Sequence, residues 1–160
     1  MSQPQTVQVV GAGLIGTSVA LGLRERGLDV FIDDIDPDHV RVAVDRGAGE
    51  GGRATQPDVV VVAVPPAEVA DAVEHALSEW PDAVVTDVAS VKSDVAASVS
   101  GRDGADRYVG SHPMSGRERS GPVAASARLF EGAPWVVVPL AETRPEAAEA
   151  VHWIAEALGA

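Results

Sequence analysis

The residues best suited to chemistry fall in a few short stretches. Gly11-Ala12-Gly13-Leu14-Ile15-Gly16 has the spacing G-x-G-x-x-G. A helix that opens on such a turn offers backbone N–H groups and the positive end of its dipole to a phosphate. Gly11 permits the tight turn, Gly13 lets a pyrophosphate approach the backbone, and Gly16 lets helix and strand pack closely. In a chain with 16 glycines the pattern is weak alone. It gains weight from its place, after an apolar run and before a helical pattern. Asp33 and Asp34 come roughly 20 residues later, where a carboxylate accepts from the ribose hydroxyls of an adenosine. Asp34 is the first choice for that role and Asp33 the second. A 2′-phosphate would be repelled there. Arg41, the nearest basic residue downstream, falls further along the next helix. NAD is therefore expected over NADP.

His112 lies in Gly110-Ser111-His112-Pro113-Met114-Ser115-Gly116, a turn-rich stretch. An imidazole changes charge near neutral pH, so it can accept a hydroxyl proton as hydride leaves. A structural histidine bonded to backbone fits the same stretch equally well. His39, His75 and His152 fall on predicted helices and read as surface residues. Ser90 precedes a helical pattern that begins at Val91 and can cap it; a capping hydroxyl can also contact a substrate. Lys92 is the only lysine among 12 basic residues. It sits in the predicted first turn of that helix, against the dipole, which hints at a contact with substrate or lid. Arg117-Glu118-Arg119 is a charge run just past the histidine. It reads either as a solvated loop or as a member of the cleft's lid.

The elements that must position these residues alternate. Strands are predicted at Val7 to Val10, Val30 to Ile32, Val59 to Val64, Val84 to Asp87, Tyr108 to Ser111 and Pro134 to Val138, with a short one hidden between Gly47 and Pro57. Helices are predicted over Leu14 to Arg26, ended by Gly27, from Pro37 to about Arg46, capped by Asp36, and from Pro66 to about Trp80. Two more cover Val91 to Val99 and Arg144 to Leu158. Such alternation means βαβ units. The fold class is α/β, a doubly wound, mostly parallel sheet of Rossmann type with helices on both faces, formed by residues 1–160 as one dinucleotide-binding domain. In such a sheet, ligands bind beyond the carboxyl ends of the strands. The glycine turn, Asp34, Val64-Pro65, Ser90 and His112 all fall at that edge.

Composition narrows the partners. Asp and Glu number 24 against 12 Lys and Arg, a net charge of −12, which argues against nucleic acid and anionic membranes. An anionic cofactor held by backbone N–H groups is compatible with that charge. The chain has no cysteine, which excludes disulfides, thiolate metal sites and a thiol nucleophile. No metal is expected. There is no secretory signal and no apolar run of ~18 residues, so a cytoplasmic location is expected.

Together these stretches resemble prephenate and arogenate dehydrogenases over nearly the whole chain. The likeness runs through Val9 to Gly16, Asp34-Ile35-Asp36-Pro37 and Val61 to Pro65. Its specific parts are Thr86-Asp87-Val88-Ala89-Ser90-Val91-Lys92, of form T-D-x-x-S-x-K, and the H-P-x-x-G-x-E-x-S-G stretch from His112 to Gly121. The resemblance implies NAD-dependent oxidative decarboxylation of prephenate to 4-hydroxyphenylpyruvate, in tyrosine biosynthesis. It implies that His112 takes the substrate's hydroxyl proton, that Ser90 helps hold that hydroxyl beside the nicotinamide, and that Glu118 belongs to the lid. Cofactor contacts would come from Gly11, Gly13, Leu14, Ile15, Gly16, Asp33, Asp34, Val64, Pro65 and Ser90. Lys92, Arg117 and Arg119 are candidates for the substrate lid. Family members continue into a helical domain that supplies dimer contacts and basic residues for the substrate carboxylates. This chain is expected to lack that domain, to bind cofactor and to turn over prephenate poorly by itself, with a homodimer expected only when the domain is present. The competing readings are arogenate dehydrogenase, another two-domain NAD(P) reductase of the β-hydroxyacid dehydrogenase type, and a dinucleotide sensor without catalysis.

Overall fold

The computed structural model describes residues 2–115 and 120–160. Valine-rich runs with β-branched side chains suit strands buried on both faces, and they form β1 (Thr6–Val10), β2 (Asp29–Asp33), β4 (Val59–Val62) and β5 (Val84–Asp87). The remaining strands are β3 (Glu50–Gly51), β6 (Tyr108–Pro113) and β7 (Trp135–Pro139). The helices are α1 (Leu14–Glu25), α2 (Pro37–Asp45), α3 (Val69–Glu79), α4 (Ser93–Val99) and α5 (Pro145–Ala157). They agree with the predicted alternation.

The seven strands form one sheet in the order β3-β2-β1-β4-β5-β6-β7. Neighbours are parallel from β3 through β6, and β7 closes the edge antiparallel to β6. The strand order reverses direction beside β1, so the first crevice opens between β1 and β4, the switch point of a doubly wound sheet. Alternate strand residues feed two cores. Val59 and Val61 pack with Leu23, Phe130 and Ile154 under α1 and α5. Val60 and Val62 pack with Val73, Leu77, Val95 and Tyr108 under α3 and α4.

Several boundaries differ from the sequence reading. The fourth strand stops at Val62, because Val64 to Glu68 turn outward into a short 3-10 helix at Pro66–Glu68. The helix expected from Val91 begins at Ser93. The strand expected to stop at Ser111 continues to Pro113, so His112 belongs to a strand, paired with Val136 of β7. Among the described residues no helix is long and apolar enough to cross a membrane.

Candidate functional site

One row of register places the candidate residues relative to each other. Asp33 of β2 pairs with Val10 of β1, Val10 with Val62 of β4, Val62 with Asp87 of β5, and Asp87 with Gly110 of β6. Gly11, Asp34, Val64 and Pro65, Ser90, and His112 all lie at or just past this row. They share the carboxyl rim of the sheet. Three strand spacings, roughly 14 Å, separate the β1 turn from β6.

At the β1–α1 turn the backbone builds the site. Gly11 has φ +108°, a conformation that disfavours a side chain. A Cβ there would fall 2.3 Å from the carbonyl oxygen of Ala63, and a Cβ at Gly16 would fall 1.9 Å from that of Gly11. These two glycines let β1, β4 and α1 come together. Gly13 differs, since a Cβ there would meet nothing within 4 Å among the described residues. Its missing side chain leaves open space directly over the helix N-terminus. Among the described residues no side chain caps α1, and its first turn holds no acidic residue, so its first N–H groups have no side-chain acceptor there. The residues present fit a pyrophosphate: an open cradle that a Cβ at Gly13 would fill, over an uncapped twelve-residue helix. Leu14 and Ile15, the first helical residues, are half-buried.

Asp34 is locked against this turn. Its Oδ2 accepts from the Ala12 N–H at 2.7 Å and its Oδ1 from the Asp36 N–H at 2.8 Å. Asp33 faces elsewhere: Oδ2 receives a hydrogen bond from Arg53 Nη1 at 3.1 Å. Arg53 also pairs with Glu79 and lies 4.9 Å from the Trp80 ring centroid. The Arg53–Glu79 hydrogen bond holds the Glu79 carboxyl below its ordinary range and raises Arg53. Arg53, not Arg41, is thus the cation at the end of β2, and it is already engaged by two carboxylates. Arg41 pairs with Asp38 on the exposed face of α2. The sequence held no local signal for Arg53, whose partners lie 20 and 26 positions away. Val64, half-buried, and Pro65, exposed, follow β4 on the same rim.

At the β5–β6 edge, side chains build the site. Asp87 is fully buried. Its Oδ1 accepts from the Tyr108 hydroxyl at 2.7 Å, and its Oδ2 from the Ala89 N–H at 3.1 Å and from Lys92 Nζ. The Ser111 hydroxyl donates to the Asp87 carbonyl at 2.8 Å and lies 3.0 Å from that of Thr86. His112 is half-buried, with Nδ1 at 3.5 Å from the carbonyl oxygen of Val88. Ser90 is exposed at the crest of the same loop. It does not cap α4, since the N-cap position belongs to Lys92. The helix starts later than expected because Asp87 holds the loop to its own end. Lys92, expected in a helical first turn and free for a lid, is instead turned inward onto Asp87. Its side chain is only 17% exposed, and burial lowers its pKa, opposed by the Asp87 charge. Burial raises the Tyr108 hydroxyl, with the Asp87 charge adding to it, so this group stays a donor. Asp87 stood in the T-D-x-x-S-x-K stretch without a role, and Tyr108 only as the start of a strand.

Arg117, Glu118 and Arg119, the lid candidates, lie outside the described residues. The chain that follows them is tied down: Arg46 Nη1 donates to the carbonyls of Pro122 and Ala125, each at 2.7 Å, and the Ser126 N–H donates to Ser18 Oγ at 3.0 Å. His39, His75 and His152 lie on α2, α3 and α5, as expected.

Comparison with known proteins gives a consistent picture. Residues 19–160 match the family described as prephenate dehydrogenase, nucleotide-binding domain. The Streptomyces niveus protein "Probable prephenate dehydrogenase NovF" is 37% identical over 98% of this chain and 44% of its own length. The Aquifex aeolicus prephenate dehydrogenase, solved with hydroxyphenyl propionate and NAD+, superposes with a TM-score of 0.88 at 30% identity, covering 99% of this chain and 58% of that one. The Synechocystis arogenate dehydrogenase gives 0.85 at 29% identity, over 96% of this chain and 57% of that one. The chain spans about half the length of the curated relatives it matches.

Proposed function

The chain belongs to the prephenate dehydrogenase nucleotide-binding family, and from that premise we propose that it binds NAD along its carboxyl rim and supplies the base for oxidative decarboxylation of prephenate. The single observation that supports this is the register row from Asp33 to Gly110, which brings the glycine turn and His112 to one edge. NAD supplies the hydride acceptor. The remaining work falls to the chain's own residues. The first-turn N–H groups of α1 receive the pyrophosphate, and Gly13 leaves room for it. Asp34, whose two oxygens already take backbone N–H groups, keeps lone pairs for the adenosine ribose. Arg53 is held between Asp33 and Glu79, so among the described residues a 2′-phosphate finds no free cation at the end of β2. This favours NAD over NADP.

His112 accepts the proton of the substrate's ring hydroxyl as that carbon gives up hydride and becomes a carbonyl. The bond to the ring carboxylate then breaks, its electron pair enters the ring, and carbon dioxide leaves. The carbonyl oxygen becomes a phenolic oxygen and takes a proton back, which the same imidazole can return. Ser90, exposed on the 88–92 loop whose Val88 carbonyl faces His112, holds the reacting hydroxyl in place. Glu118, Arg117 and Arg119 are assigned to the cover over this site. Contacts to the two substrate carboxylates are assigned to a further helical, dimer-forming domain, in keeping with the greater length of the relatives.

Two measurements test the reading. Titration calorimetry on this chain is expected to show NAD binding at least tenfold tighter than NADP, a difference of about 1.4 kcal/mol; the opposite order removes Asp34 from its role. In a protein extended to the length of its relatives, His112→Asn is expected to cut turnover of prephenate by about 10²–10⁴ with NAD affinity nearly unchanged. Full turnover in that variant refutes the base assignment. The likeness to an arogenate dehydrogenase makes arogenate the second substrate for the same assay, and a preference for it would change the substrate while keeping the base.

A further inference from the structure

The 88–92 loop carries both Ser90 and the Val88 carbonyl that faces His112, yet it has no regular secondary structure to hold it. It starts from a backbone bond, the Val88 N–H to the Val62 carbonyl at 3.2 Å, and beyond that one side chain ties it together. Asp87 Oδ2 takes the Ala89 N–H near the start of the loop and the Lys92 ammonium at its end, so a single oxygen clasps both. The other oxygen is fixed from β6 by the Tyr108 hydroxyl at 2.7 Å. A carboxylate that is fully buried needs this full set of donors. Desolvating a lysine has a cost, seen in the lowering of Lys92 by burial. The chain's only lysine has nonetheless been drawn inward, where solvent would have been the easier place for it.

Gly110 supplies an independent sign that the clasp is built in. Its φ is not positive, so conformational freedom does not explain the glycine. A Cβ there would lie 3.1 Å from the Tyr108 hydroxyl, 3.2 Å from Lys92 Cδ and 3.2 Å from the Val138 carbonyl oxygen of β7. The missing side chain leaves room both for β7 and for the lysine stem on its way to Asp87.

We propose that Asp87, Tyr108 and Lys92 are positioning residues that set the tautomer of His112 through the Val88 carbonyl. A carbonyl can only accept, so the ring nitrogen facing it carries the proton. With Nδ1 protonated, Nε2 keeps its lone pair and is the atom that takes the substrate's proton. A neutral imidazole free in water prefers the opposite arrangement, with the proton on Nε2. The loop must therefore hold its carbonyl in place to reverse that preference. The clasp never touches the substrate; it acts through the loop. The inference rests on the reading of His112 as the base.

The test reads the tautomer directly, without turnover. Long-range ¹H–¹⁵N spectra of the ¹⁵N-histidine-labelled protein, at a pH where His112 is neutral, report which ring nitrogen bears the proton; His112→Asn identifies the signal. In the unmodified protein the Nδ1–H form is expected to dominate. In Tyr108→Phe and Lys92→Met the Nε2–H form is expected to become the majority, with thermal melting confirming that each variant is folded. Lys92→Arg, which keeps the cation, is expected to restore part of the Nδ1–H population. A dominant Nε2–H form in the unmodified protein overturns the proposal, even if every variant fails to fold. So does an unchanged tautomer in folded Tyr108→Phe and Lys92→Met. If His112→Asn keeps its turnover, the base reading fails whatever the spectra show. If that variant loses turnover while the tautomer ignores the clasp, only the positioning role fails.

Discussion

The two ends of the rim are built from different material. At the β1–α1 turn the site is backbone: glycines that admit close approach, N–H groups with no side-chain cap, and a carboxylate fastened to two more N–H groups. At the β5–β6 edge it is side chain: a buried carboxylate, a phenol, a lysine and an imidazole drawn from two strands and the loop between. The first suits a task common to every dinucleotide, gripping a phosphate whose oxygens accept from any N–H. The second suits a task peculiar to one reaction, holding a proton acceptor at a chosen atom. Backbone tolerates no movement, whereas side chains can give by a few tenths of an ångström. Substitution of glycine at each end exposes that difference.

The largest effect is expected at Gly16→Ala. The new Cβ would sit 1.9 Å from the Gly11 carbonyl oxygen, an atom of the turn itself. Nothing flexible can move aside, so a loss of about 4 kcal/mol or more is expected, read by denaturant unfolding. Gly110→Ala is the matched change at the other end. Its neighbours at 3.1 and 3.2 Å are the tip of Tyr108 and the stem of Lys92, which can shift, and the Val138 carbonyl of the edge strand β7, which has to give only a few tenths of an ångström. Overpacking of this kind costs about 1–3 kcal/mol. A Gly110→Ala protein as damaged as Gly16→Ala would show that the β5–β6 edge is as rigid as the turn.

The turn was legible in the sequence for the same reason that it is rigid. Its parts are contiguous, from Gly11 to Gly16, and each glycine answers a local demand of the backbone. Asp34 was found because the strand and helix between it and the turn have ordinary lengths. The strand–helix alternation, and with it the shared rim, followed from valine runs and turn residues. The β5–β6 edge was legible only in part. Ser90 and His112 stood out by type, but Ser90 read as a helix cap because local spacing allows one. What prevents it is Asp87, which draws the Ala89 N–H and Lys92 to itself and is held from β6 by Tyr108, 21 positions away. Pairing across strands leaves no mark at that range in a single sequence. One clue was available: an Asp ending a run of strand residues, predicted buried, needs donors. Arg53 was invisible for the same reason, since Asp33 and Glu79 meet it only in the folded sheet.

Gly13→Ala sharpens the contrast from the other direction. Nothing among the described residues lies within 4 Å of the added methyl, so the fold is expected to be as stable as before. NAD affinity is expected to fall about tenfold, roughly 1.4 kcal/mol, because the methyl occupies the space the pyrophosphate needs. Calorimetry paired with a melting curve separates the two quantities. Unchanged NAD binding would mean that the phosphate lies elsewhere on the rim.

The smallest effect is the alkaline limb of stability at the side-chain end. Burial, with the Asp87 charge, raises the Tyr108 hydroxyl above its ordinary value of 10.0. The folded protein then keeps a proton that the unfolded chain loses, so this contribution is whole below pH 10.0 and declines as pH rises above it. Lys92 runs the opposite way. Its lowered value means that the unfolded chain holds the proton more tightly, so on its account stability grows as pH climbs toward 10.5. Tyr108→Phe isolates the first term. The variant lacks one hydrogen bond to a buried charge and is expected to be about 1.5–3 kcal/mol less stable at neutral pH. Above pH 10.0 that gap is expected to narrow, because only the unmodified protein has a phenol to lose. Denaturant melts of both proteins across the alkaline range measure it. A gap that stays constant would mean that the phenol ionises as readily in the folded protein as in the unfolded one, and would remove the buried Asp87–Tyr108 contact on which the side-chain end of the rim depends.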